Sequence, residues 1–258
     1  MSRQDPDVID SVEKAFRVLE TFSAEHPSLT VSEAAELTGL SRATARRILL
    51  TCVRLGFAEV DDRRFRLLPR VLRLGYGYLA SLPIWDRAQP HMRRLADEVR
   101  ESCSAATLDG GEIVYVARVP ANRSMSIVLN VGSRLPAYPT SMGRVLLAAL
   151  PPDALREHLA AVALEPLTPH TITDPGELEK ELDRVRERGY ALVDGEREEG
   201  VRSAAAPVRD GSGAVIAAIN VSANAGRVSV DELREHQVPL LLRTADAISR
   251  DIGFVPAP

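Results

Sequence analysis

Between Ser41 and Arg47 the chain places three guanidinium groups, Arg42, Arg46 and Arg47, beside the hydroxyls of Ser41 and Thr44. A second basic set, Arg63, Arg64 and Arg66, follows a short way on. Guanidinium forks bind phosphate oxygens and the edges of guanine, and hydroxyls bind phosphates or bases, so these two sets have the chemistry of a nucleic-acid contact. Their charge is local. Residues 1–40 carry a net charge of −5, residues 41–73 carry +6, and the whole chain carries −4. A solvated helix face would not concentrate positive charge in this way within an otherwise acidic protein.

The elements that would position these groups are legible. Thr30 and Glu33 have the spacing of a capping box, which starts a helix, and Gly39 supplies the left-handed residue that ends one. Ser41 caps a second helix running to about Leu55, on which Ala45, Ile48 or Leu49, Cys52 and Leu55 recur as a buried stripe. Arg42, Thr44, Arg46 and Arg47 then face outward from its first turns, where a recognition helix reaches base edges. Gly56 stops the helix. Phe57–Val60 and Phe65–Leu68 read as two strands of a wing around Asp61, Asp62, Arg63 and Arg64. Upstream, an amphipathic helix over Val8–Ser23 with Val12, Ala15, Phe16, Leu19 and Phe22 on one face is expected to pack behind the pair. Downstream, Pro69 opens a linker helix that ends before Pro83, and a helix of this kind would also suit the pairing of two protomers. Gly75 and Gly77 within it lack the preceding strand and third glycine of a phosphate loop.

The remaining chemistry is sparse. Five histidines and two cysteines, Cys52 and Cys103, show no metal-ligand spacing, so no metal and no cofactor is expected, and the cysteines read as reduced structural thiols. No apolar run is long enough to span a membrane, and the first nine residues lack the order of a signal peptide, which points to a cytoplasmic protein. A length of 258 residues with 45% hydrophobic and 26% charged side chains allows two globular domains.

Residues 84–258 read as an α/β (α+β) domain with an antiparallel sheet flanked by helices. Strands are expected at Ser102–Leu108 and Ile113–Val119 around Asp109-Gly110-Gly111, at Ser124–Val131, and at Ser203–Val208 and Val215–Val221 around Asp210–Gly213. Helices are expected at Trp85–Arg100, irregular at Pro90, and at Ser141–Leu150, Asp153–Ala163, Pro175–Arg188 and Val230–Asp251. Asp194 near Glu196, Glu198 and Glu199 has the composition of an acid–base group, but the stretch reads as a solvated acidic loop. No nucleophile–base spacing announces an enzyme acting on a small carboxylic acid, which is the rival function class.

The segments VEKAFRVLETFS, GLSRATARRILLTCVRLGFAE, FRLLPRVLRLGYGYL, RLPAYPTSMGRVLLAAL and RERGYALVDGEREEGVRSAAAPVRDGSGAVIAAINVS, in that order, strongly resemble the IclR family of bacterial transcriptional regulators. LPAYPTSMGRVLLAALP and PLTPHTITDP are similar to the branch that controls aromatic-acid catabolism through the β-ketoadipate pathway. The resemblance implies a winged helix-turn-helix DNA-binding domain over 8–68, a linker helix over 69–83 and a GAF-like effector-binding domain over 84–258. It further implies a homodimer or tetramer on near-palindromic double-stranded DNA, controlled by a small organic acid and without enzymatic activity. DNA contacts then fall to Ser41, Arg42, Thr44, Arg46, Arg47, Arg63 and Arg64. Effector contacts carried over from the family fall to Leu135, to Ser141, Met142 and Gly143 at a helix start, to Asp194 and Ser203, and to Asn220 and Ser222. Met142 stands where alanine is common in the family and Ser203 where cysteine is, which points to an aromatic or longer dicarboxylic acid. Arg118, Arg123, Arg134, Arg144 and Arg202 are candidates to balance its charge, with Arg202 preferred beside Ser203. A relative responding to an unrelated small acid is the alternative within the family.

Overall fold

The computed structural model describes residues 7–81, 84–121 and 129–255, and the chain divides into two compact units, Met1–Ser81 and Leu82–Pro258. The first unit opens with α1 (Asp10–Glu20), followed by α2 (Val31–Thr38) and α3 (Arg42–Arg54). Its core joins Val18, Leu29, Ala34, Ala35, Ala45, Leu49 and Phe65. The face of α1 that packs is therefore centred on Val18, not on the expected stripe. Phe16 and Val12 remain 50% and 47% exposed, and Leu55 on α3 is 51% exposed. Next to Val18, Arg17 donates to the Thr38 carbonyl at 2.6 Å, which ties this side of α1 to the end of α2. The antiparallel pair β1 (Ala58–Asp61) and β2 (Arg64–Leu67) forms the wing, after which a 3-10 turn (Pro69–Val71) leads into α4 (Leu72–Ser81).

The second unit carries one six-stranded sheet in the order β5-β4-β3-β8-β7-β6, antiparallel at every junction. It is built by α5 (Ile84–Val99), β3 (Ser102–Asp109), β4 (Glu112–Val119), β5 (Arg134–Pro136), α6 (Ser141–Ala148), α7 (Pro152–Ala161), α8 (Pro175–Arg188), β6 (Ala191–Asp194), β7 (Val201–Arg209), β8 (Val215–Asn224), α9 (Val230–Glu232) and α10 (Val238–Asp251). Helices α5 and α10 pack together and against the sheet, and α6 packs on it with α8 behind. The α6 side shares a core in which Ala106, Ala191, Ala205 and Ala218 of the sheet meet Met142, Val145 and Leu178. Small sheet residues let the helix lie close.

Most of the expected helices form, and α8 runs from Pro175 to Arg188 with Asp174 capping through Glu177 N–H at 2.8 Å. Four readings need correction. The expected strand over Ser124–Val131 falls mostly outside the described residues, and Leu129–Val131 are not strand. The edge strand is instead β5, which pairs with β4 through Leu135 and Ile113. β6 was not anticipated, because four residues between a helix exit and a glycine carry too little alternation to read. The single helix over Val230–Asp251 is interrupted by a π turn at Leu233–Gln237. Pro239 lacks the N–H that α geometry would direct to Glu235, so the hydrogen-bond register widens there. Pro90, expected to disturb α5, lies inside a continuous helix.

Candidate functional site

The first candidate site is the outer face of α3 with the wing. Thr30 and Glu33 complete the capping box, with Glu33 N–H on Thr30 Oγ1 at 3.3 Å and Thr30 N–H on Glu33 Oε2 at 2.7 Å. Gly39 then turns the chain at φ +68°. Ser41 caps α3, accepting from Thr44 N–H at 3.2 Å, and Ala45, Leu49 and Cys52 anchor the buried side. Arg42, Arg46 and Arg47 are exposed, and no carboxylate among the described residues pairs with them. Thr44 is half-buried, its hydroxyl 2.9 Å from that of Ser41.

At the wing tip Asp62 and Arg63 both take positive φ, +39° and +69°, closing a two-residue turn that matches strand twist. Arg63 is left exposed at its apex. Arg64 is placed otherwise than expected of a phosphate ligand. Its Nε donates to Ser28 Oγ and its Nη2 to the Ser28 carbonyl, both at 2.9 Å, and Nη2 lies 3.3 Å from Glu33 Oε2. It fastens the wing to the start of α2. The Thr30 backbone bond, then the Thr30 side chain, then Arg64 hold the Glu33 carboxyl below its ordinary pKa. Arg66 is exposed on the same strand.

The second candidate site is a cavity of about 60 Å³ between the sheet and the start of α6. Strand pairing explains its floor. Ser102, Ser222, Ser203 and Val193 lie opposite one another across β3, β8, β7 and β6, and Arg118, Ser104 and Asn220 form the adjacent row. Directly opposed residues share a face, so one side of the sheet presents a polar patch within an alanine-rich core. A register shift between Ala105 and Ala106 lets Tyr115 join Arg118 on that face although the two are three positions apart. The roof is Leu135, Pro139, Thr140, Ser141 and Met142, and Arg197, Glu198 and Val201 close one side.

Thr140 caps α6 by accepting from Gly143 N–H at 3.1 Å. The N–H groups of Ser141 and Met142 are those that a helix leaves without an internal acceptor, and they carry the positive end of its dipole. Ser141 is 1% exposed, and its Oγ has no hydrogen-bond partner among the described residues. Gly143 does not line the cavity but makes it possible. A Cβ there would stand 2.0 Å from the Ala137 carbonyl oxygen, so only glycine lets the strand-to-helix turn close. Arg118 is half-buried, and among the described residues no carboxylate pairs with it. Arg197 Nη1 lies 3.0 Å from Glu198 Oε2. Burial pushes the Tyr115 phenol up, against the opposing pull of Arg197 and Arg118 beside it.

Of the sequence-derived effector residues, Leu135, Ser141, Met142, Ser203, Asn220 and Ser222 converge on this cavity. Asp194 and Arg202 do not. They pair with each other at 2.9 and 3.0 Å, and Arg202 also donates to the Val228 carbonyl. Alternation dictates this: if Ser203 and Val193 face the cavity, their neighbours Arg202 and Asp194 face away. Arg134 is held outside by Asp109 and Glu112, both at 2.7 Å, and Arg123 lies outside the described residues. Arg144 is 1% exposed and bound to Glu196, so the acidic stretch is not simply a solvated loop. Sequence reasoning missed Ser102, Ser104, Tyr115 and Arg197, and it gave Glu198 only to the acidic stretch. The period of β3 held a signal for the first two, since Ser102 and Ser104 sit two apart in the half of the strand that is otherwise Cys103, Ala105 and Ala106.

No group of histidines, cysteines and carboxylates among the described residues could hold a metal ion. Nor is any of their helices long and apolar enough to cross a membrane. A winged helix-turn-helix joined in one chain to a helix-roofed cavity with a polar floor defines a ligand-responsive transcription regulator.

Comparison with known proteins gives the family. Residues 11–62 match the IclR helix-turn-helix domain and residues 76–250 match the bacterial transcriptional regulator IclR C-terminal domain. The chain is 43% identical to the Pca regulon regulatory protein of Pseudomonas putida, over 96% of this chain and 84% of that protein. It is 36% identical to the p-hydroxybenzoate hydroxylase transcriptional activator of Acinetobacter baylyi, over 94% and 91%. An IclR homologue from Microbacterium hydrocarbonoxydans, crystallised with 4-hydroxybenzoate, superposes with a TM-score of 0.82 at 30% identity, covering 94% of this chain and 98% of that one. The chain belongs to the IclR family of bacterial transcriptional regulators, and its winged helix is a DNA-binding domain.

Proposed function

We propose that the protein controls genes of aromatic-acid catabolism, binding a near-palindromic operator as a homodimer or tetramer and releasing or remaking that contact when an acid of that pathway, an aromatic carboxylate or a longer dicarboxylate, occupies the cavity. The observation that carries this reading is the start of α6, where the unpartnered Ser141 hydroxyl and the first-turn N–H groups stand over a floor bearing Arg118. A carboxylate satisfies these donors, and the apolar part of the lining, Tyr115, Leu129, Leu135, Met142 and Val193, suits a flat ring. The names of the relatives favour the same class: one activates the gene of p-hydroxybenzoate hydroxylase and another was crystallised with 4-hydroxybenzoate.

On the DNA side Arg42, Arg46 and Arg47 read the major groove and Arg63 neutralises phosphate or enters the minor groove. A single winged helix makes few phosphate contacts, so useful affinity requires pairing. The exposed apolar residues Phe16, Leu55 and Leu74 border a groove between α1, α3 and α4, and they support a protomer contact there. An effector then acts by favouring one spacing of the two recognition helices over another.

The test pairs thermal shift with a mobility assay. Protocatechuate, 4-hydroxybenzoate and β-ketoadipate are screened against the full-length protein, and the stabilising acid is added to a complex with DNA carrying an inverted repeat. Stabilisation by one of them and a changed mobility shift are expected. Stabilisation by none, together with a clear shift from an unrelated acid, refutes the effector class.

A further inference from the structure

Beyond the cavity lining lies a buried ion pair that no DNA or effector contact uses. Arg144, on the second turn of α6, is 1% exposed, and Glu196, in the turn between β6 and β7, is 8% exposed. Their side chains meet at 2.5 Å. Arg144 Nε also donates to the Tyr138 carbonyl at 3.0 Å, and Glu196 Oε2 also accepts from Ile172 N–H at 3.3 Å.

Each bond reaches a different segment. Tyr138 leads directly into Pro139, Thr140 and Ser141, the roof of the cavity; Glu196 leads directly into Arg197 and Glu198, its side wall. The loop around Thr168 and Thr171 fastens the same turn from behind. Thr168 Oγ1 donates to the Gly195 carbonyl at 2.7 Å, and Thr171 Oγ1 donates to the Glu196 carbonyl at 2.5 Å. Tyr138 closes the circuit by donating its hydroxyl to the Glu165 carbonyl at 2.7 Å.

We infer that Arg144 and Glu196 are positioning residues that lock the roof, the side wall and the 165–172 loop into one rigid rim, so that the α6 donors and Arg197 are presented to the ligand in fixed geometry. The inference rests on the cavity being the effector site. Neither side chain lines the cavity, so both act through the residues next to them. Stability alone is a weak reason for such a pair. Two desolvated charges often hold a fold no better than apolar side chains of the same volume, whereas a forked, directional contact fixes the orientation of the segments it joins.

That contrast sets the experiment. In the full-length protein Arg144→Met with Glu196→Leu replaces the pair by apolar groups and leaves no buried charge. A second variant, Thr171→Val, removes only one hydroxyl from the latch and guards against misfolding of the first. Hydrogen exchange is followed without ligand, and 4-hydroxybenzoate binding is followed by calorimetry. Expected are a melting temperature close to the original, faster exchange confined to residues 137–142 and 195–198 together, and binding weakened at least about tenfold, the scale of one lost charge-assisted contact. Thr171→Val should show the same paired loosening to a smaller degree.

Unchanged exchange in either segment overturns the inference, as does a uniform rise across the whole sheet with a fallen melting temperature, which marks a merely structural pair. If the unaltered protein binds no 4-hydroxybenzoate, that ligand assignment fails on its own, while the exchange pattern still decides whether the pair couples roof to wall.

Discussion

Ser141→Ala separates a residue kept for binding from one kept for folding. The hydroxyl is 1% exposed and meets no acceptor or donor among the described residues. Burying such a group without a partner costs about 1–3 kcal/mol, and alanine also has the higher helix propensity, so removing the oxygen is expected to leave the ligand-free protein unchanged or up to about 1 kcal/mol more stable. The ligand-bound state responds in the opposite direction. A hydrogen bond to a carboxylate contributes about 1.5–3 kcal/mol, so the effector is expected to bind roughly ten- to a hundredfold more weakly. The single tryptophan, Trp85, lies in the C-terminal unit and reports its unfolding in urea, while calorimetric titration gives the affinity. Loss of more than about 1 kcal/mol in the ligand-free variant would show that the hydroxyl already has a partner. Unchanged affinity would show that the start of α6 does not receive the anion. Either result refutes the reasoning, and they fail different steps of it.

The two neighbouring wing arginines are expected to behave differently. Arg63→Ala should weaken operator binding and reduce its salt dependence by about one counterion, whereas Arg64→Ala, which frees Ser28 and Glu33, should chiefly lower the melting temperature of the winged helix. Salt-dependent mobility assays beside thermal unfolding distinguish them, and equal salt slopes for both variants would contradict the assignment. Gly143→Ala forces a methyl against the Ala137 backbone, which cannot yield as a flexible side chain would, so the C-terminal unit should lose about 3 kcal/mol or more. A loss below about 1 kcal/mol in the same urea assay would mean that the turn opens without strain.

Much of this molecule was readable along the chain because its signals are local. Thr30, Glu33, Gly39 and Ser41 specify a helix–turn–helix through backbone groups within a few residues of each other, and Asp174, Pro175 and Gly189 do the same for α8. Charge counting likewise marks the basic island of residues 41–73, on which the proposed DNA face lies, without reference to any contact. The site in the second unit was harder. Resemblance pointed to Ser141, Ser203, Asn220 and Ser222 but also to Asp194, and the need for a balancing charge pointed to Arg202; strand alternation places both on the far side of the sheet. Period-two alternation along β7 carries that distinction for Arg202 in the sequence itself. β6 pairs with the neighbouring β7 but is too short to show alternation, and the 195–198 turn owes its form to Arg144, Thr168 and Thr171, which are distant in sequence.

What the sequence alone determined is what depends on neighbours along the chain: the capped helices, the hairpin turns, the basic island from Arg42 to Arg73 and, through the order of its motifs, the family. What only the tertiary structure decided is which charges are free and which are spent. Arg63 and Arg64 are adjacent and chemically identical, yet one is open at the wing tip and the other is bound to Ser28 and Glu33. Along the chain Arg118, Arg144 and Arg202 are all candidates, with Arg202 preferred, but strand register and the path of the 195–198 turn give Arg144 and Arg202 carboxylates and leave Arg118 facing the cavity. A guanidinium reaches several ångströms from its own backbone, and its partner comes from whatever the fold brings within that reach.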